Sequence, residues 1–185
     1  MQLDKAIESR RSVKKFKDKK PDWRDIIEAI DMARFAPMAG NMFSLKFIIV
    51  SDPNKIQKLA DAAQQNFISK AHYVVVACSN PNKTTASYDK RAAIYLRQQA
   101  GAGIQNFLLK LAEIGLSTTW VGHFVESMVK TELRIPEGVN VEAMFPIGYE
   151  FKKPTTTKAK TDLNAILYFN LYGHKHMRQE EKLDV

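Results

Sequence analysis

Four side chains within five residues, Arg10, Arg11, Ser12 and Lys14, offer two guanidiniums, a hydroxyl and an ammonium. Groups of these types converge on phosphate, because guanidinium–phosphate pairs are charge-assisted and often bidentate. Lys158 and Lys160 stand at i and i+2, and in an extended segment such a pair projects to one side. If that pair returned to the amino-terminal segment, a phosphate monoester would have a full set of donors. The plainer reading is a salt-bridged, solvated surface, and residue types alone leave both open.

Other reactive side chains are sparse. The histidines are His72, His123, His174 and His176. His174-x-His176 has no accompanying carboxylate or thiolate cluster, so no metal site is expected. Cys78 is the single cysteine, which excludes a disulfide framework and reads as a buried, inert thiol. No Gly-x-Ser-x-Gly elbow and no GxxxxGK[ST] phosphate loop occurs. Gly101-x-Gly103 lies inside a helical pattern and is read as close helix packing. A chain without acid–base, nucleophilic or metal machinery often takes its reactivity from an organic cofactor.

The periodicity predicts the elements that would position these groups. Leu3, Ala6 and Ile7 give a short helix over 2–9, followed by an irregular or extended piece through Phe16. Asp22 caps a second helix whose buried stripe is Trp23, Ile26, Ile27, Ile30 and Ala33, ending before Pro37. Residues 37–41 form a loop of small and turn-forming residues. Residues 46–50 and 73–78 read as buried strands, their continuous apolar runs fitting a sheet covered on both faces. Pro53 starts a helix between them, through Ile56, Leu59, Ala60 and Ala63. Residues 80–87 read as a polar loop and 88–114 as a long helix closed by Gly115. A strand over 117–122, a short helix over 127–133 and a last strand over 141–149 complete the pattern. Leu167, Tyr168, Phe169, Leu171 and Tyr172 need burial somewhere. The class is α+β, with helices around a central mixed or antiparallel sheet.

Composition agrees with one globular unit. The chain has 185 residues, 45% hydrophobic and 26% charged, with a net charge of +8. No apolar run approaches a membrane span, and the amino terminus lacks a signal-type apolar region. The expected compartment is the cytoplasm. Residues 1–24 hold nine Lys or Arg against four acids, so much of the excess sits near that end. It fits a solvated surface, a nucleic-acid footprint or the seat of a smaller anion. No nucleic-acid-binding signature accompanies it.

Taken in order, the motifs resemble the FMN-dependent nitroreductase family. Ser9-Arg10-Arg11-Ser12-Val13-Lys14-Lys15-Phe16 is similar to the family's R-R-S-x-R/K-x-F start. Ala36-Pro37-Met38-Ala39-Gly40-Asn41 is similar to its A-P-S-x-x-N loop. Gln105-Asn106-Phe107-Leu108-Leu109, with Gly115-Leu116 and Trp120-Val121-Gly122, is similar to its Q-N-L…G-L…W-I-G signature. Phe145-Pro146-Ile147-Gly148-Tyr149 is similar to its P-I/V-G-Y strand end, and Lys158-x-Lys160 to its late K-x-R.

The resemblance implies a single nitroreductase-like domain over 1–185, with a C-terminal extension from about 161, in an interlocked homodimer. It implies FMN at the subunit interface and NADH or NADPH as electron donor. An electron-poor small molecule, such as a nitro compound or quinone, would be the acceptor. By the same resemblance Arg10, Arg11, Ser12, Lys14, Lys158 and Lys160 hold the phosphate and ribityl chain. Pro37, Met38, Ala39 and Asn41 approach the flavin ring, and Trp120, Val121, Gly122, Pro146, Ile147 and Gly148 line ring or chain. FMN carries the chemistry, so no side chain is assigned the catalytic step. Departures stand at Met38, where the family has serine, and at Gln99, where many members have aspartate. Alternatives are a member that uses flavin as substrate or sensed ligand, and a basic nucleic-acid-binding module.

Overall fold

The computed structural model describes residues 2–152 and 160–177. The chain divides into two compact units, Met1–Lys153 and Pro154–Val185.

The first unit is built on an antiparallel sheet of three strands, β1 (Leu45–Val50), β2 (Tyr73–Ser79) and β3 (Asn140–Ile147), with β2 in the middle. Val50 pairs with Val74, and Tyr73 with Ile147. Every residue of β2 is buried. Alternation explains its unbroken apolar run. Tyr73, Val75 and Ala77 enter one core with Ile26, Ile104, Phe107 and Phe145. Val74, Val76 and Cys78 enter a second core with Ile56, Leu59, Val129 and Met144. Helices α2 (Trp23–Ala33) and α5 (Ala92–Glu113) supply the first core, and α3 (Pro53–Ala63) and α6 (Glu126–Leu133) the second. The expected α+β arrangement is present.

Local signals place several boundaries. Asp22 and Asp52 each accept a backbone N–H at the start of the following helix, from Arg24 and Asn54 respectively, and α3 opens with Pro53. Gly115, at φ 81°, follows the end of α5. Gly103 meets α2: a Cβ there would lie 2.6 Å from the Leu45 side chain and 3.2 Å from the Ala33 carbonyl oxygen. Gly101 faces open space, so only one of the two glycines marks a crowded crossing within the chain.

Four expectations are corrected. Trp23 and Ile27 are about half exposed; of the expected stripe α2 buries Ile26 and Ala33, and it adds Ala29. β1 is an edge strand with Lys46 exposed, not a buried one. Residues 80–87 are not a loop, because α4 spans Asn82–Tyr88, with Thr84 buried and the Tyr88 ring edge-on to Tyr95 at 5.1 Å. Residues 117–122 are not a strand; Ser117, Thr118 and Val121 make isolated bridges to Gly148, Ser12 and Met144.

In the second unit, Asp162 caps the short helix α7 (Leu163–Ile166), and the Lys175 ammonium reaches the Asn164 carbonyl. Lys175 also lies over the Tyr168 ring. The burial expected of the tail's apolar residues is not met, since Leu167, Leu171 and Tyr172 are exposed.

Candidate functional site

The amino-terminal basic segment is fixed by the backbone on both sides. After α1 (Leu3–Ser9), Arg10 turns the chain into an extended run. The Val13 N–H donates to the Thr118 carbonyl at 2.9 Å, the Lys17 N–H to Tyr149 at 2.8 Å, and the Phe151 N–H to Lys15 at 3.0 Å. In such a run successive side chains point to opposite sides. Arg11, Val13 and Lys15 share one side: Arg11 forms a two-point pair with Glu150, Val13 is buried, and Lys15 lies over the Phe151 ring. Ser12 and Lys14 share the other and are exposed; the Lys14 ammonium stands 5.3 Å from the Phe67 ring centre.

A cavity of about 390 Å³ lies beside this segment, lined by Arg10, Arg11, Lys17, Trp120 and Glu150 together with Leu108 and Leu111 of α5. The Trp120 indole is about half exposed and packs edge-on against Phe145 at 5.5 Å. Glu150 has no motif or periodicity of its own in the sequence. Glu150 directly follows the Pro146–Tyr149 motif, the one signal that could have found it.

A second cavity, about 570 Å³, gathers Pro37, Met38 and Ala39 with Tyr88, Tyr95, Gln98, Gln99 and Ala102. Gly40 and Asn41 both take φ 57°, a left-handed pair that turns the loop tightly. Tyr88, Tyr95 and Gln98 reach this loop through tertiary packing of α4 and α5, which no local pattern announces.

The remaining predicted residues divide by exposure. Gly122 is exposed. Val121, Pro146, Ile147 and Gly148 are buried, and they form the packed floor between segments. The Val121 N–H and carbonyl both engage Met144, while the Gly148 N–H and carbonyl both engage Ser117. A Cβ on Gly148 would lie 2.8 Å from the Phe16 ring, so that glycine admits the amino-terminal segment. Lys158 lies outside the described residues. Lys160 is exposed in the second unit. Burial pushes the Cys78 thiol up to about 11, which leaves it a poor nucleophile at neutral pH. Among the described residues, no helix is long and apolar enough to cross a membrane. Nor do three or more His, Cys, Asp or Glu side chains gather there as a metal site would require.

The model of the Nitroreductase family matches residues 7–71 and 62–149. An Archaeoglobus fulgidus protein named "Putative NADH dehydrogenase/NAD(P)H nitroreductase" is 28% identical over 150 residues, covering 78% of this chain and 83% of its own length. A nitroreductase family protein from Clostridium novyi NT has a solved structure with a TM-score of 0.74 at 26% identity; 94% of this chain and 96% of that one are covered. The NADPH:FMN oxidoreductase of Vibrio harveyi, solved with NAD+, has a TM-score of 0.81 at 20% identity. It covers 98% of this chain and 80% of its own, a likeness of fold.

Proposed function

The chain belongs to the nitroreductase family, and from that membership we propose that it is an FMN-dependent oxidoreductase. It carries electrons from NADH or NADPH to an electron-poor small-molecule acceptor such as a quinone or nitro compound. The observation that carries this reading is the segregation of the basic segment. Arg11 is held by Glu150, while Ser12 and Lys14, two residues apart in the extended run, are both exposed. A hydroxyl and an ammonium at i and i+2 suit the oxygens of a phosphate monoester. The donor set therefore fits FMN.

When bound, FMN supplies the two-electron chemistry that no side chain here provides. The residues of this chain do the binding and placing. Ser12, Lys14 and Arg10 hold the phosphate. The Arg11–Glu150 pair and the Val13–Thr118 hydrogen bond fix the strand that carries those donors. Trp120 offers an indole surface, and Pro37, Met38 and Ala39 offer an apolar edge that excludes water from the ring.

The same layout supports a homodimer. Residues lining the two cavities, Gln98 and Leu108, sit on opposite halves of α5, about 15 Å apart along its axis. A site that uses both clusters is completed by a second copy. Ile94, Gln98, Gly101 and Gln105 form the outward side of α5, and Gly101 leaves open space for a helix to approach. Leu3, Ile7 and Ile27 add exposed apolar surface.

Comparing FMN with riboflavin tests the phosphate seat. FMN is expected to bind roughly 10²- to 10⁴-fold more tightly, the worth of about two charge-assisted contacts. Equal affinity for the two would sink the proposal.

A further inference from the structure

One side chain of the long helix holds the loop that carries Pro37, Met38, Ala39 and Asn41. Gln99 is 4% exposed. Its Oε1 accepts the Ser44 N–H at 2.8 Å and also the Ser44 hydroxyl. Its Nε2 donates to the Met42 carbonyl at 3.1 Å. These bonds join residues 55 and 57 positions apart, so a single carboxamide ties α5 to both backbone groups just beyond the Gly40-Asn41 turn. On the near side of that turn, the Tyr88 hydroxyl lies 2.7 Å from where a Cβ on Gly40 would stand. The Ser44 carbonyl is in turn bonded by the Asn80 N–H at 3.0 Å, which anchors the far end of the loop to the residue after β2.

We propose that Gln99 is a positioning residue: through Met42 and Ser44 it sets where the Pro37–Asn41 loop stands against the flavin. The proposal rests on the FMN reading above. The chemistry of the position demands a side chain that accepts and donates at once. A carboxamide does both, a carboxylate only accepts, and a protonated carboxyl again does both. Leaving the buried Ser44 N–H and the part-buried Met42 carbonyl without partners would release this end of the loop. A loop displaced by about 1 Å misplaces reactants enough to slow chemistry roughly 10²-fold.

Two variants separate positioning from packing. Gln99→Met keeps the length and loses all three bonds. Gln99→Glu keeps the accepting half and regains the donor when protonated. The groups around the position bear on that titration. Tyr88 and Tyr95 are the titratable residues among those sharing its cavity, and Lys46 and Lys83 line a smaller cavity with its bonded partners Met42 and Ser44. Burial raises the introduced carboxyl's pKa and the two lysines oppose that rise.

The experiment reads three quantities on the full chain: hydrogen exchange of the Ser44 amide, FMN affinity, and the stopped-flow rate of flavin reduction by NADH or NADPH across pH. In Gln99→Met, Ser44 should lose its protection. FMN affinity should stay within about threefold, because the phosphate donors are untouched. Reduction should slow roughly 10- to 10²-fold. In Gln99→Glu, reduction should approach the wild-type rate at low pH and fall toward that of Gln99→Met as the carboxyl ionises, with no matching step in the wild type. Unchanged Ser44 exchange, an unchanged reduction rate in Gln99→Met, or a flat profile in Gln99→Glu overturns the proposal. If Gln99→Met does not fold, Gln99→Glu compared between low and high pH carries the decision. A wild-type chain that takes up no FMN overturns the underlying reading and the flavin part of this one. The Ser44 exchange, which needs no flavin, tells that failure apart from failure of the clamp.

Discussion

Replacing Arg11 and Lys14 separately by alanine should divide two jobs between neighbouring cations. Arg11 pairs with Glu150, its Nε 2.9 Å from Oε1, and the two side chains are 33% and 18% exposed. The pair is only partly removed from water, so its loss should cost about 1–2 kcal/mol rather than the larger penalty of a fully buried pair. For a chain of this length that lowers Tm by roughly 2–8 °C. Arg11→Ala should leave FMN affinity within about threefold, since its guanidinium is committed to the fold. Lys14 is exposed and its contact with Phe67 is a surface one, worth about 0.5 kcal/mol, so Lys14→Ala should shift Tm by about 2 °C at most. It should weaken FMN by roughly 10- to 100-fold, the worth of one charged hydrogen bond. Thermal unfolding of the flavin-free protein and titration of FMN fluorescence give the two numbers for each variant. Arg11→Ala losing FMN as strongly as Lys14→Ala, at unchanged Tm, would refute the assignment by strand side.

Further outcomes follow from single positions. Gly103→Ala should destabilise by about 1–3 kcal/mol despite alanine's better helix propensity, because the new methyl meets Leu45 and the Ala33 carbonyl; Tm reads this. Gly101→Ala meets nothing within the chain and should raise helix stability by up to about 1 kcal/mol while weakening self-association, which light scattering reads. Glu132 is held below the usual carboxylate range by its hydrogen bonds to Lys58 and Lys55, at 2.8 and 3.0 Å. A lowered pKa stabilises above the ordinary value of 4.5, and that stability is lost as pH falls through the folded value. The Tm gap between wild type and Glu132→Gln should therefore be present at neutral pH and close on acidification. Cys78 should resist thiol reagents at neutral pH until the chain unfolds, because burial lifts its pKa to about 11.

What could be read from the chain was what local patterning controls. The Asp22 cap, the Pro53 start, the Gly115 stop and the buried run of β2 each follow from one or two residues and their neighbours. The α4 helix was hidden because Asn82-Lys83-Thr84-Thr85-Ala86-Ser87 has weak helix formers and no apolar stripe. Tertiary packing of Thr84 and Tyr88 accompanies the helix there. The run at 117–122 has strand-like residues, yet its partners Ser12, Met144 and Gly148 lie on separate segments, so no continuous ladder forms. Trp23 and Ile27 follow helical spacing and still face outward, which pattern alone cannot distinguish from burial against the core. The basic and loop clusters were visible as residue types. That Arg11 belongs to Glu150, and that Gln99 grips Met42 and Ser44, depends on contacts far apart in sequence, with no local periodicity to announce them.

The central claim is that this chain binds FMN and cycles it with a nicotinamide donor. Its most direct test is the absorbance spectrum of the FMN-incubated, desalted protein during anaerobic titration with NADH and then NADPH. The account predicts a retained flavin band that at least one donor bleaches and that a quinone restores. A protein that comes through desalting colourless, or a flavin band that neither donor changes, would contradict it.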